Sequence, residues 1–236
     1  MRAIRLSFFH MLKCIRQDRM LFASLLAPLL AGTAIKYAVP FAETMLIRVA
    51  GERAVLSPYY GLFDIFFASI APAMFCFIAA MIMLEERDDH IDRYLLVTGL
   101  GRNGYFLSRI VIPAFAAFLV TAALLPVFGL TDLSAAEIVF LSLTGALQGI
   151  LIALLIVTVS SNKLEGMAVT KLASLILFGA VVPYFVPVSV RFCFFFLPSF
   201  WMGMAISEGK WFYMLPSFFA AGSWILVLWR NYSRKF

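Results

Sequence analysis

Across 236 residues the chain is 63% hydrophobic and only 14% charged, where soluble domains carry about a quarter charged residues. That excludes a soluble globular fold. The net charge of +6 is distributed in a way that speaks for membrane topology rather than nucleic-acid binding, and Cys14, Cys76 and Cys193 show no metal-site spacing.

Residues 1–19 place Ile4, Phe8, Met11, Leu12 and Ile15 at helical spacing, with Arg2, Arg5, Lys13, Arg16 and Arg19 mostly opposite. No long apolar core with a small-residue cleavage site follows, which argues against a signal peptide. The pattern predicts a helix lying in the cytoplasmic membrane interface. A first span is expected from about Met20 to Ala42, with Pro28 and Lys36 inside it, and a polar connector over 43–58. The second span covers about Tyr59 to Leu84, with Asp64 its one charge. Charges then crowd together: Glu85, Glu86, Arg87, Asp88, Asp89 and Asp92 include five of the thirteen acidic residues. An amphipathic piece over Ile91–Val97 and a coil over Thr98–Gly104 complete the connector 85–104.

The third span is expected over Ile110 to about Thr131 and the fourth over Ile138–Asn162, joined by a short turn at Asp132–Glu137. A second polar connector, Ser160–Gly166, leads to a fifth span from Leu172 to about Val190. Phe192–Ser207 is uncharged but short, and contains Pro198 and Gly203; Trp211–Trp229 reads as the sixth span before a basic tail. With six spans and both termini inside, 14 of the 19 basic residues fall in cytoplasmic segments, as the positive-inside rule asks. A seventh span at Phe192–Ser207 would put the basic tail outside. That piece is therefore expected as a re-entrant or interfacial segment on the outer side, with Trp201, Trp211 and Tyr213 in an aromatic belt.

Several bland readings compete with chemistry here. Asp88, Asp89, His90 and Asp92 could ligate a metal, but lipid phosphotransferases need further aspartates after a glycine, and none follows before Asp132. Gly99–Gly104 matches GxGxxG only in letters, since no strand precedes it, and no GxxxxGK[ST] occurs. His10 reads as interfacial and His90 as a solvated loop residue, with no hydrolase constellation around either. Lys36 and Asp64 lie within about 6 Å of equal depth at 1.5 Å per residue. They are candidates for an intramembrane charge pair, and snorkelling to the outer surface is the favoured alternative.

From Leu84 to Arg109 the sequence resembles the cytoplasmic connector of ABC exporter permeases of the type-2 class. The matching features are Glu85-Glu86-Arg87 closing the second span, the leucine pair in Tyr94-Leu95-Leu96, the turn Thr98–Arg102 and the aromatic-led Tyr105-Phe106-Leu107. More weakly, Asn162–Gly166 and Leu197-Pro198-Ser199-Phe200-Trp201 match elsewhere. Two departures stand out: the usual glycine-threonine after the charges reads His90-Ile91, and the proline usual after the leucines is Gly99. The resemblance implies an all-α permease domain over 1–236, with a coupling helix between spans two and three. It also implies an ATPase docking element made of Glu85, Glu86, Arg87, Asp88, Asp89, Ile91, Asp92, Tyr94, Leu95, Leu96 and Thr98. Ile91, Tyr94 and Leu95 recur at helical spacing and can form one face for a groove, with the acids supplying orientation.

The expected role is the membrane subunit of an ATP-driven exporter in the inner (plasma) membrane. The resemblance implies two ATPase subunits that bind the ATP and magnesium, a second permease copy or a relative, and surrounding lipid. No cofactor, metal or catalytic residue is expected in this chain. The 25 phenylalanines suggest an apolar or amphipathic cargo such as a peptide, lipid or drug. A secondary transporter is the rival reading, and it would want charged mid-membrane relays and an internal repeat.

Overall fold

A computed structural model describes residues 2–50, 55–97 and 101–235, and among these the chain is helical with no strand. The helices are α1 (Arg2–Gln17), α2 (Arg19–Ala50), α3 (Tyr60–Asp88), α4 (Ile91–Val97), α5 (Gly101–Phe106), α6 (Ile112–Phe128) and α7 (Ala135–Val159). They continue as α8 (Lys163–Ala173), α9 (Val182–Phe185), α10 (Val188–Arg191), α11 (Pro198–Glu208) and α12 (Met214–Lys235). Among the described residues five helical stretches are long and apolar enough to cross a membrane: Arg19–Val49, Ser57–Asp88, Asn103–Phe128, Ala135–Val159 and Lys163–Phe185. The chain is a multi-pass membrane protein.

Helix α1 is amphipathic as its pattern predicts, with Met11 and Ile15 buried and Phe8 packed beside them, although Leu12 faces outward. Asp18 ends it and starts the next helix. Its Oδ1 accepts from the amides of Met20 (2.8 Å) and Leu21 (3.3 Å), which is N-capping chemistry. Helix α2 then runs eight residues past Ala42, so the expected connector over 43–58 is helical as far as Ala50. At about 1.5 Å per residue its 32 residues outreach a hydrocarbon core of about 30 Å. The overhang is tied down. Glu43, read as a connector charge, is buried and accepts from the Ser57 amide and hydroxyl and the Tyr60 hydroxyl.

Helix α3 is the axis of the bundle, and its apolar stretch is mostly buried inside the protein. It can approach α7 closely because Gly145 and Gly149 supply no side chain. A Cβ on Gly145 would stand 2.4 Å from the Ala68 carbonyl oxygen, and one on Gly149 2.8 Å from that of Pro72. Small residues four apart are how apolar helices pack when no water drives them together.

Several element boundaries differ from the sequence reading. The charges Glu85–Asp88 form the last turn of α3 rather than a loop. The coil expected over Thr98–Gly104 is helical from Gly101, while residues 98–100 lie outside the described residues. Helix α7 starts at Ala135, three residues early, because Ser134 and Glu137 make a reciprocal capping box. The fifth stretch begins at Lys163 rather than Leu172, since Asn162 accepts from the Glu165 amide and caps α8. Its middle, Ser174–Val181, is wound as 3₁₀ helix.

After α9 the chain turns. The Phe185 ring stacks on Tyr59 at 5.1 Å, and Ile206 packs over Gly61, so both sit at the start of α3. Between them, Phe196–Pro198 dips to Leu151 and Leu155 in the second half of α7. Pro198 opens α11, which climbs back to the far end of the bundle. Helix α12 runs the whole length, bringing Leu228 and Tyr232 into the core cluster that holds Met11 and Ile15 of α1. Both termini therefore gather at the end marked by Glu86.

Candidate functional site

Four consecutive residues close α3, and between them they engage three neighbours: Glu86 the stretch Tyr105–Arg109, Arg87 the end of α7, and Glu85 with Asp88 the start of α8. Successive residues on an α-helix fan out by about 100°, so four in a row can address all sides. Glu86, 5% exposed, accepts from the Tyr105 hydroxyl at 2.8 Å and from Arg109 through Nε at 3.1 Å. A second bond from Arg109 Nη2 makes this ion pair bidentate. Arg109, 1% exposed, also donates through Nη1 to the Ser7 carbonyl of α1 at 2.8 Å. Arg87 donates to the carbonyls of Val157 (3.1 Å) and Ser160 (2.9 Å), where α7 ends with unpaired acceptors and negative dipole charge. Asp88 accepts the Lys163 amide at 3.0 Å. The Lys163 ammonium reaches Glu85 at 2.9 Å and Asp18 at 3.1 Å.

Arg109 reaches Glu86 from a widened π-helical turn, Leu107–Val111, between α5 and α6. Within it Ser108, Arg109 and Ile110 are all buried, although three neighbours on a regular helix would spread over some 200°. Such bulges recur at functional sites. Asp18 sits where burial disfavours its charge, yet the Lys163 ammonium and two backbone amides outweigh that and lower its pKa.

The expected docking set therefore divides. Glu85, Glu86, Arg87 and Asp88 are bound within the chain, and Asp92 is buried. Asp89 and His90 form the exposed turn between α3 and α4. His90 holds φ at +58°, the left-handed region that favours glycine. That is the position where the resembled class carries glycine. On α4, Tyr94 is 74% exposed and Ile91 39%, whereas Leu95 packs against the core. Leu164, in the first turn of α8 next to the Asp88 contact, is 80% exposed. The Leu96 side chain and all of Thr98 lie outside the described residues.

Lys36 and Asp64 meet the same corner without meeting each other. Lys36 donates to the Val127 carbonyl, while Asp64 accepts from the amides of Leu130 (2.8 Å) and Thr131 (2.9 Å) and from the Thr131 hydroxyl. No ion pair joins the two, and Asp64 is fully buried rather than snorkelling. A carboxylate supplied with three donors needs no cationic partner. The sequence reading assigns Ser7, Asp18 and Arg109 no role at the site, and names Tyr105 and Lys163 only within the resembled motifs. An arginine four residues into the aromatic-led run from Tyr105 was the available signal.

The backbone break at Phe195–Pro198 is repaired by side chains. The Trp201 and Trp224 indoles donate to the carbonyls of Phe195 (2.7 Å) and Phe196 (2.9 Å), and the Ser217 hydroxyl donates to that of Pro198 (3.1 Å). Irregular backbone among apolar side chains must find donors for its carbonyls in this way. Trp201 therefore has its N–H turned to the backbone rather than to an interfacial belt; the Trp211 side chain lies outside the described residues.

Residues 11–229 match the family described as fluoroquinolones export permease protein Rv2686c-like. No curated protein and no solved structure was found to match the chain.

Proposed function

The chain belongs to the Rv2686c-like family of export permeases, and we propose that it is the membrane subunit of an ATP-driven exporter of the type-2 ABC class. In this reading residues 1–236 form one permease domain with six crossings. Helix α12, uncharged from Met214 to Trp229, is the sixth. Both termini face the cytoplasm across the inner (plasma) membrane, α1 lies in the inner interface, and Phe192–Ser207 is the re-entrant or interfacial segment on the outer side. Two copies, or this chain and a relative, enclose the pathway within the lipid. Two ATPase subunits beneath them bind ATP and magnesium, and this chain contributes no nucleotide site and no catalysis of its own.

The observation that carries the reading is the contrast within one connector. Its apolar tip, Ile91 and Tyr94, is exposed, while the residues behind it are clamped to α5, the π-helical turn, α7 and α8. A loop in water has no reason to present tyrosine and isoleucine on so rigid a mount. A part that must receive work from an ATPase needs both features: a knob that fills a groove and stiff linkage to the helices to be moved. Leu164 extends the proposed docking surface to the start of α8. The matched family's description names fluoroquinolones, and we assign this chain an apolar or amphipathic cargo, with aromatic drugs foremost.

Co-purification from the native host, followed by export measured in inverted vesicles with and without ATP, tests the proposal. An associated ATPase and ATP-dependent uptake into the vesicles are expected. Cargo movement that follows an ion gradient and ignores ATP would replace this reading with a secondary transporter. Cysteines introduced at the exposed Asp89 and Tyr94 should label only from the cytoplasmic side, and one at Glu208 only from outside.

A further inference from the structure

A groove of about 600 Å³ lies between the dipping hairpin and α12, walled by Phe195, Phe196, Trp201, Phe219 and Trp224, with Ser223 at its side. That volume suits one drug-sized molecule. Five of the named walls are rings, and two of the rings are fixed. The indole N–H groups of Trp201 and Trp224 are bound to the hairpin carbonyls, so both present faces and edges rather than donors. Trp224 stands midway along α12, far from where interfacial tryptophans normally sit. Its depth therefore calls for another explanation than belt anchoring. Phe196 and Trp224 also line an enclosed apolar cavity of about 190 Å³ that reaches Leu151 and Leu155. These two side chains form a shared wall between the groove and the protein interior.

We propose that this groove binds a planar aromatic molecule, the ring system of the cargo, stacked among Phe196, Phe219 and Trp224. The assignment rests on the export reading above and adds to it a place and a mode of binding. Preorganised rings favour a flat aromatic guest over a flexible chain of equal hydrophobicity. Offset and edge-on ring pairs supply attraction beyond the area buried, and a rigid guest loses less conformational freedom on binding.

The test uses the full chain in lipid nanodiscs with 9-aminoacridine as the fluorescent planar probe and empty nanodiscs as the partition control. Phe219 is 76% exposed and contributes little to the fold, so Phe219→Ala should remain folded. Saturable binding is expected, weakened about tenfold by Phe219→Ala and kept by Phe219→Tyr. Dodecylamine, a monocation at neutral pH like the probe but on a ringless chain, should displace the probe poorly. Equal affinity in Phe219→Ala, or displacement of the probe by dodecylamine as good as by a planar quinoline cation, would overturn the site and make the groove an acyl-chain furrow. Binding is measured without ATP or an ATPase, so ATP-independent cargo movement with probe binding intact counts against the export reading alone. ATP-driven export without probe binding counts against the site alone.

Discussion

Arg109 and Glu86 form a buried bidentate ion pair that joins the start of the third long helix to the end of the second. Through its remaining nitrogen Arg109 also holds the Ser7 carbonyl, so one guanidinium links three helices. Taking both charges out of water is costly, and the pair is sustained by its geometry and by the Tyr105 hydroxyl. Removing one partner strands the other. Glu86→Gln and Arg109→Met should each lower stability by about 3–5 kcal/mol, and Glu86→Leu with Arg109→Met should cost less than the sum of the single changes. Thermal unfolding in matched detergent reads this, and additive losses would show that the pair does not act as a unit.

His90 occupies a left-handed position at φ +58°, where a Cβ is unfavourable. His90→Gly should raise stability by about 0.5–1 kcal/mol, and His90→Val should lower it by at least as much. Lower stability in the glycine variant would mean that the imidazole makes a contact outweighing its backbone strain.

The glycines separate by what surrounds them. A Cβ at Gly145 meets backbone at 2.4 Å, whereas one at Gly222 meets nothing within 4 Å. Gly145→Ala must push α7 from α3 and should destabilise by about 1–3 kcal/mol, the range for overpacked interiors. Gly222→Ala should be neutral or stabilising, since it lowers the entropy of the unfolded chain. Melting temperatures of the two variants decide the point, and equal shifts would contradict the close approach at Gly145.

Asp18 has its carboxyl pKa lowered by Lys163 and by backbone amides, against the opposing effect of burial. A lowered folded pKa means that the contribution is fully present above the ordinary aspartate value of about 3.9. It is lost as pH falls through the folded value. Asp18→Asn keeps a capping side chain and removes only the charge. The wild type should exceed it by up to about 1 kcal/mol at neutral pH, and the gap should close below about pH 4. A gap that persists under acid would assign the effect to capping rather than charge.

Much of the fold was legible because hydrophobic runs must be long to cross lipid. The amphipathic α1, the central α3 and the break near Pro198 all follow from residue type and spacing. Helix ends were misplaced where caps outrank hydropathy: Ser134 with Glu137, and Asn162, start helices inside stretches that read as polar. The charged run Glu85–Asp88 reads as a solvated connector because charge normally seeks water. Its partners Arg109 and Lys163 lie far away in sequence, and the one hint is that Arg109 stands four residues into an aromatic-led apolar run. Asp64 misled for a related reason, since two of its three donors are backbone amides at Leu130 and Thr131 that carry no sequence signal.

The exposed tip and its mount should separate experimentally. Tyr94 and Ile91 project from α4 with little to hold them, while Leu95, their neighbour on the same short helix, packs inward. If the tip fills a groove on an ATPase, Ile91→Ala with Tyr94→Ala removes anchors of the kind that dominate interfaces. Association should weaken by about 2 kcal/mol or more, with the melting temperature unchanged. Leu95→Ala should do the reverse, lowering stability by some 2 kcal/mol through a lost core contact while the tip keeps its chemistry. Asp89→Asn should alter mainly the salt dependence of association, as rim charges do. Pull-down of the ATPase in matched detergent, with unfolding measured on the same preparations, resolves the three variants. Unchanged association after loss of Ile91 and Tyr94 would remove α4 as the docking element and shift attention to Leu164 on α8.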